Sequence, residues 1–204
     1  MPAKNKDLHG SVPDNSRVAL LLVDVINDLE FAGGDELATN ALPAARNLAR
    51  LIRRARRAKV PIIYANDNFG KWRSDFRRLV AHATGTDVRG RPIARLLKPR
   101  HDDYQVLKAK HSAFFHSQLD LILDYLGAKT IVLAGFSTDS CVLFTAADAY
   151  MRDFKVIVPL DCVAACSVAD HETALAQMER LLEVKTPSSK DIDWRKLRGR
   201  RSRN

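Results

Sequence analysis

Two stretches of this chain, Val18-Ala19-Leu20-Leu21-Leu22-Val23 and Thr130-Ile131-Val132-Leu133, are apolar almost without interruption. A strand with one wet face alternates apolar and polar residues. An unbroken run rich in Val, Ile and Leu suits a strand covered on both faces. Further apolar runs alternate with helix-period patterns, predicting strands over 18–25, 60–65, 104–109, 130–134 and 155–160. Helices are predicted over 42–59, 117–126, 140–153 and 169–183, with Pro43 in the first turn of the first and Gly127 stopping the second. Residues 184–187 offer a short last strand. The pattern is that of an α/β fold, a three-layer sandwich whose mostly parallel central sheet is flanked by helices. The long segment 66–100 carries Trp72, Phe76 and Leu79 at helical spacing and reads as an insertion shaping a site.

A chain of 204 residues suffices for one domain with a sizeable core. The expected division is a polar N-terminal segment (1–16), one domain (17–187) and a basic C-terminal tail (188–204). Three cysteines, Cys141, Cys162 and Cys166, cannot pair completely, so no disulfide framework is visible. Residues 1–16 have no apolar signal core, and no run is long enough to span a bilayer. A soluble cytoplasmic protein is expected. The net charge of +9 comes from 33 Lys+Arg against 24 Asp+Glu. Its excess is concentrated in Arg46, Arg50, Arg53, Arg54, Arg56, Arg57 and Lys59, and in Arg195, Lys196, Arg198, Arg200, Arg201 and Arg203. The first set reads as the solvated face of an amphipathic helix and the second as a disordered end. Salt-sensitive attraction to polyanions follows from such charge, but no recognition motif for nucleic acid is present.

In open α/β sheets, ligands sit outside the carboxyl ends of the strands. Asp24 ends the first strand, and a carboxylate after Ala19 to Val23 is costly unless paired or functional. Asn27 and Asp28 suit a loop or cap role better. The third strand ends near Lys110, with Lys108 and Lys110 expected on one face and His111 on the other. The fourth strand runs into Gly135-Phe136-Ser137-Thr138-Asp139-Ser140-Cys141, a small-residue turn that opens a helix. Unpaired N–H groups at a helix N-terminus favour a thiolate, so Cys141 reads as a nucleophile of lowered pKa. A Cys–His dyad using His111 or His116 stays open, while Cys162 and Cys166 read as structural. No Cys/His spacing suits a metal, and no nucleotide-binding glycine motif occurs.

Asp24 with Asn27-Asp28, the segment Lys110-His111-Ser112-Ala113-Phe114, the Gly135 to Val142 turn and Asp161-Cys162-Val163-Ala164 together resemble the isochorismatase-like cysteine hydrolase superfamily. The resemblance covers about residues 18–184. It implies a Rossmann-like fold and an Asp24-Lys110-Cys141 triad without cofactor or metal. In that scheme Cys141 attacks an amide or ureido carbonyl. Asp24 takes the thiol proton and passes it to the leaving amine, Lys110 stabilises charge, and water hydrolyses the thioester. It further implies a cis peptide between Phe136 and Ser137, and an oxyanion hole from the backbone N–H groups of Ser137 and Cys141.

Two departures narrow the activity. Many members carry Gln where this chain has Ile26. Nicotinamidases place an Asp-x-His metal motif after the second strand, where this chain reads Asn66-Asp67-Asn68-Phe69. Isochorismatases proper lack the nucleophilic cysteine. The expected enzyme is therefore a metal-independent amidohydrolase acting on a C–N bond of a small amide, ureido or carbamoyl compound. Phe31, Asn66, Phe69, Trp72 and Phe114 are the candidate pocket walls. A homo-oligomer, dimer or tetramer, is expected, with no membrane and no dedicated nucleic-acid partner. The alternatives are a non-catalytic scaffold or a polyanion binder retaining the fold, and a smaller redox role for Cys141.

Overall fold

A computed structural model describes residues 15–67, 69–70, 75–85 and 87–199. Five parallel strands lie in the order β3-β2-β1-β4-β5: β1 Val18–Val23, β2 Ile62–Asp67, β3 Tyr104–Lys108, β4 Thr130–Phe136 and β5 Lys155–Ile157. A short β6, Val163–Ala164, pairs with the carboxyl end of β4 at Gly135 and Phe136. All residues of β1 and β4 are buried, as their unbroken apolar sequences require.

Alternate side chains feed two cores. Leu20, Leu22 and Tyr64 meet α1 (Gly34–Arg57), α2 (Phe76–Gly85), α3 (Arg91–Leu96) and α7 (Trp194–Arg198). Leu21, Val23, Ile63 and Val106 meet α4 (Leu119–Leu126), α5 (Leu143–Tyr150) and α6 (Val168–Leu182). Each fully buried leucine contributes about 1.5–3 kcal/mol from burial. A charge at Leu21 or Leu22 would forfeit that and add the larger cost of an unpaired ion.

The first helix begins at Gly34, well before the expected 42, so Pro43 sits inside it. Pro43 removes the amide that would otherwise bond the Thr39 carbonyl, and both residues face solvent. Among its described residues, the 66–100 segment holds two helices, α2 and α3. Instead of a last strand over 184–187 there is one bridge, Ile157 to Lys185.

Part of the stretch expected to be a basic tail is folded. Ile192 and Trp194 are each 4% exposed and join the core. The Asp193 carboxylate caps α7 by accepting from the Arg195 and Lys196 amides at 3.0 and 3.1 Å. Arg54 and Arg198 donate to the carbonyls of Ser189 and Ala58, each at 2.9 Å, tying α7 to α1. Two apolar anchors among basic residues are enough to dock the segment. Among the described residues, no helix is long and apolar enough to cross a membrane.

Candidate active site

The parallel strands bring their carboxyl ends to one edge. β1 ends at Val23, and Asp24 follows with φ 53°, a left-handed conformation that Asp tolerates better than most residues. Its amide donates to the Ala65 carbonyl at 2.9 Å. β4 lies against this point in register, Gly135 opposite Val23. Gly135 has φ 128°, and a Cβ there would stand 2.0 Å from the Val23 carbonyl oxygen, so only glycine lets β4 approach. The peptide bond between Phe136 and Ser137 is cis. A π-type turn, Thr138–Val142, then carries Cys141 into α5.

The lysine at the centre of this edge is Lys108, not Lys110. β3 pairs with β2 only as far as Lys108 opposite Asp67. Beyond it the strand stops, the period of two is lost, and the Lys110 side chain turns to solvent. Lys108 is 0% exposed. Its Nζ lies 2.8 Å from Asp24 Oδ2, 3.5 Å from Cys141 Sγ and 3.7 Å from Asp67 Oδ2. It also donates to the Lys110 carbonyl at 2.9 Å, so Lys110 contributes only its main chain. The other Asp24 oxygen accepts the Asp67 amide at 2.7 Å.

Burial raises the Asp24 carboxyl above 3.8, opposed by the Lys108 charge and by hydrogen bonds from Cys141, Lys108 and Asp67. Burial works against the Lys108 charge, but Asp24, Cys141 and Asp67 together hold its pKa above 10.5. Burial and then the Asp24 charge push the Cys141 thiol up to about 12. The expectation of a lowered thiol is thus reversed. Desolvation and a neighbouring carboxylate outweigh the lysine. At rest the sulfur holds its proton, within hydrogen-bonding reach of the Asp24 carboxyl.

Further residues hold the parts together. Thr145 Oγ1 donates to the Cys141 carbonyl at 2.6 Å and accepts the Ala113 amide at 3.0 Å, locking the loop after β3 to α5. Thr138 Oγ1 meets His171 Nδ1 at 3.0 Å, joining the nucleophile turn to α6. His111, expected on the other face from Lys108, is carried by the loop to Cys141. Its Nδ1 lies 3.8 Å from Sγ and 3.2 Å from Ser140 Oγ. The β2–β3 register also places Asp67 beside Lys108, a neighbour invisible without strand pairing.

The candidate walls separate. Asn66 is fully buried and follows Tyr64 onto the opposite face of the sheet from Asp67, where its Nδ2 donates to the Ile26 carbonyl at 2.8 Å. Phe114 packs in the core against Phe154 with Arg152 over its ring, rather than on the site. Phe31 and Phe69 stand in the loops after β1 and β2, each 42% exposed. Trp72 lies outside the described residues. Asn27 and Asp28 serve as turn caps, accepting from the Leu29 and Glu30 amides. His116 is exposed beside Phe115. Among the described residues, no group of three or more His, Cys, Asp and Glu is placed to hold a metal ion.

The sequence and the fold have known counterparts. The Isochorismatase domain family model matches residues 18–188. The uncharacterized isochorismatase family protein YaaI of Bacillus subtilis is 37% identical over 174 residues, covering 85% of this chain and 95% of the relative. The maleamate amidohydrolase of Pseudomonas putida is 28% identical over 172 residues, covering 79% of this chain and 78% of that enzyme. Among solved structures, the N-carbamoylsarcosine amidase of Thermoplasma acidophilum superposes with a TM-score of 0.66 at 26% identity, covering 87% of this chain and 99% of the amidase. The parallel sheet, its flanking helices and the match over nearly the whole domain agree, and the chain belongs to the isochorismatase family of hydrolases.

Proposed function

We propose that the protein is a cysteine amidohydrolase that cleaves a C–N bond of a small amide, ureido or carbamoyl compound through a thioester on Cys141. The observation that carries this is the convergence of Asp24, Lys108 and Cys141, with one ammonium 2.8 Å from the carboxylate and 3.5 Å from the sulfur. The names of the maleamate and N-carbamoylsarcosine relatives support C–N cleavage.

Because the thiol is held at about 12, its proton must leave as the sulfur attacks. Asp24 is the base in reach, and burial strengthens it. Lys108 offsets the negative charge shared between carboxylate and sulfur. Asp24 then returns the proton to the departing nitrogen. The amides of Ser137 and Cys141 are the proposed oxyanion donors. The reading includes a homo-oligomer. Its support is the outward apolar surface of Leu121, Tyr125 and Phe144 on α4 and α5 and of Met151 just beyond, each at least 49% exposed.

The test is intact mass after brief incubation with a panel of small amides, ureido acids and carbamoyl compounds. Wild type is expected to gain a substrate-dependent acyl mass that Cys141→Ala does not. Turnover of a panel member with Cys141→Ala equally active would overturn the reading.

A further inference from the structure

We propose that the basic face of α1, together with the segment folded against it, binds the phosphodiester backbone of nucleic acid, an activity separate from hydrolysis. In sequence the basic residues fall into two clusters, one on a helix and one near the chain end. The fold joins them. Arg54 donates to the Ser189 carbonyl and Arg198 to the Ala58 carbonyl, each at 2.9 Å. Between α1 and this segment runs a groove of about 440 Å³ lined by Arg54, Arg57, Lys190, Trp194 and Arg195, with Asp191 and Asp193 as its acidic residues. The Asp193 carboxylate is already engaged in capping α7.

Arg46, Arg50, Arg53 and Arg57 follow one another at helical spacing, so they share one stripe of α1, and all of them are exposed. No acidic residue occurs from Leu37 to Lys59. Among the described residues, no carboxylate pairs with the stripe, whereas Arg56, off it, pairs with Asp103. A merely solvated helix face mixes signs, because opposite charges three or four residues apart stabilise a helix and like charges destabilise it. The helix dipole favours cations in the last turn, which accounts for Arg54, Arg56 and Arg57 but not for Arg46, Arg50 or Arg53. The stripe is a cost to the isolated fold that an anionic partner removes.

The chemistry of the face selects the partner. Arginine makes up the stripe, and its planar fork meets two phosphate oxygens at once. At 1.5 Å per residue, Arg46 to Arg57 extends about 16 Å, which passes about five phosphates of one strand of a duplex. Among the described residues, no large apolar side chain on α1 or in 187–199 is exposed, so the face lacks what would anchor it in a membrane interface. α1 ends at the amino edge of the sheet, where the chain turns into β2. The groove and the end of the stripe therefore lie opposite the edge that holds Asp24, Lys108 and Cys141.

The experiment follows fluorescence anisotropy of a labelled DNA duplex and a labelled single-stranded RNA, each about 20 nucleotides long, titrated with the full chain at several salt concentrations. Wild type is expected to bind with a Kd of about 10⁻⁶–10⁻⁴ M at about 0.15 M salt, and the logarithm of the duplex affinity to fall against log salt with a slope of about −4 to −5. Binding of either probe at that strength supports the proposal, and the tighter probe names the source of the backbone. Arg46→Gln, Arg50→Gln, Arg53→Gln and Arg57→Gln combined should weaken binding about 10²-fold or more and make the slope shallower by about 3. The control combines Lys129→Gln, Lys155→Gln, Arg180→Gln and Lys185→Gln, exposed residues that adjoin the core on the other side of the sheet. It removes as much charge and should change Kd less than about fivefold, since salt screens charges beyond about 8 Å. An equal or larger loss in the control overturns the proposal, because binding then follows net charge and not this face. A Kd weaker than about 10⁻³ M for both probes overturns it too. So does equal or tighter binding to phosphatidylglycerol vesicles at matched phosphate, which would make the partner a lipid surface. The substituted residues are all exposed, so both variants should melt with wild type, and a thermal melt checks that.

Discussion

Replacing Lys108 by Met keeps the aliphatic stem and removes the charge. The Lys108 side chain is 0% exposed and that of Asp24 8%, so the substitution strands a buried carboxylate. Breaking a buried pair by removing one partner costs about 3–5 kcal/mol. In a domain of this size each kcal/mol moves the melting temperature by about 2–4 °C, which predicts a fall of roughly 6–20 °C at neutral pH. The loss must depend on pH. Lys108 is the largest influence holding the Asp24 carboxyl down, so without it the already raised pKa climbs further. A carboxyl whose folded pKa exceeds its unfolded value contributes stability that is complete below the unfolded value and lost as pH rises through the folded one. The gap between Lys108→Met and wild type should therefore be small near pH 4 and widen towards pH 8. The burst of nitrophenol from p-nitrophenyl acetate, which reports acylation of the cysteine, should fall at least about 10²-fold, because the negative charge shared between Asp24 and the attacking sulfur has no cation beside it. Lys110→Ala is the control. Its side chain is exposed and only its carbonyl meets Lys108, so stability should stay within about 0.5 kcal/mol and the burst within about twofold. Melting curves at three pH values and stopped-flow bursts settle the matter. A silent Lys108→Met beside a dead Lys110→Ala would refute the assignment, and a pH-independent stability gap would refute the electrostatic account.

Burial first, and the Asp24 charge second, raise the Cys141 thiol, so Asp24→Asn should speed its alkylation by iodoacetamide at pH 8 while abolishing the burst; slower alkylation would count against the carboxylate's proximity. Asp24 must be ionised to act as base, so the wild-type burst rate is lost as pH falls through its folded pKa. The midpoint of that acid limb should lie above 3.8, and a limb at or below 3.8 would contradict burial as the dominant influence. Thr145→Val removes the hydroxyl that joins Ala113 to Cys141 and leaves a buried amide without its acceptor, which should cost about 1–3 kcal/mol in denaturant unfolding and slow the burst.

The architecture could be read from the chain because the signals that encode it are local. Two-sided burial shows as the unbroken run Val18 to Val23, and the switch from strand to helix shows at Gly135 to Cys141. Asp24 and Cys141 were legible for a related reason, each lying where an apolar strand meets the sheet edge. What escaped depends on register or on three-dimensional burial. Asp67 joins the site only because β2 pairs with β3 at Lys108, and Asn66, one residue earlier, is thereby sent to the other face. The direction of the Cys141 pKa escaped because a helix end is visible in sequence, whereas the wall of side chains that desolvates the sulfur is not.

The lysine is a different kind of miss, since the signal was present. Lys108 and Lys110 share a face in any extended reading, so periodicity could not choose between them. Their neighbours could. Lys108 is set in Val106-Leu107-Lys108-Ala109, a charge within an apolar run, while Lys110 leads into the polar His111-Ser112. A buried ammonium is tolerated only when paired. No carboxylate in β3 or the turn after it lies beside Lys108, so its partner had to come from another strand ending at the same edge, and Asp24 and Asp67 are the two that do. The cost that singled out Asp24 after Val23 applies with equal force to Lys108 after Leu107. Each residue is the counter-charge the other requires, and that mutual need identifies the pair.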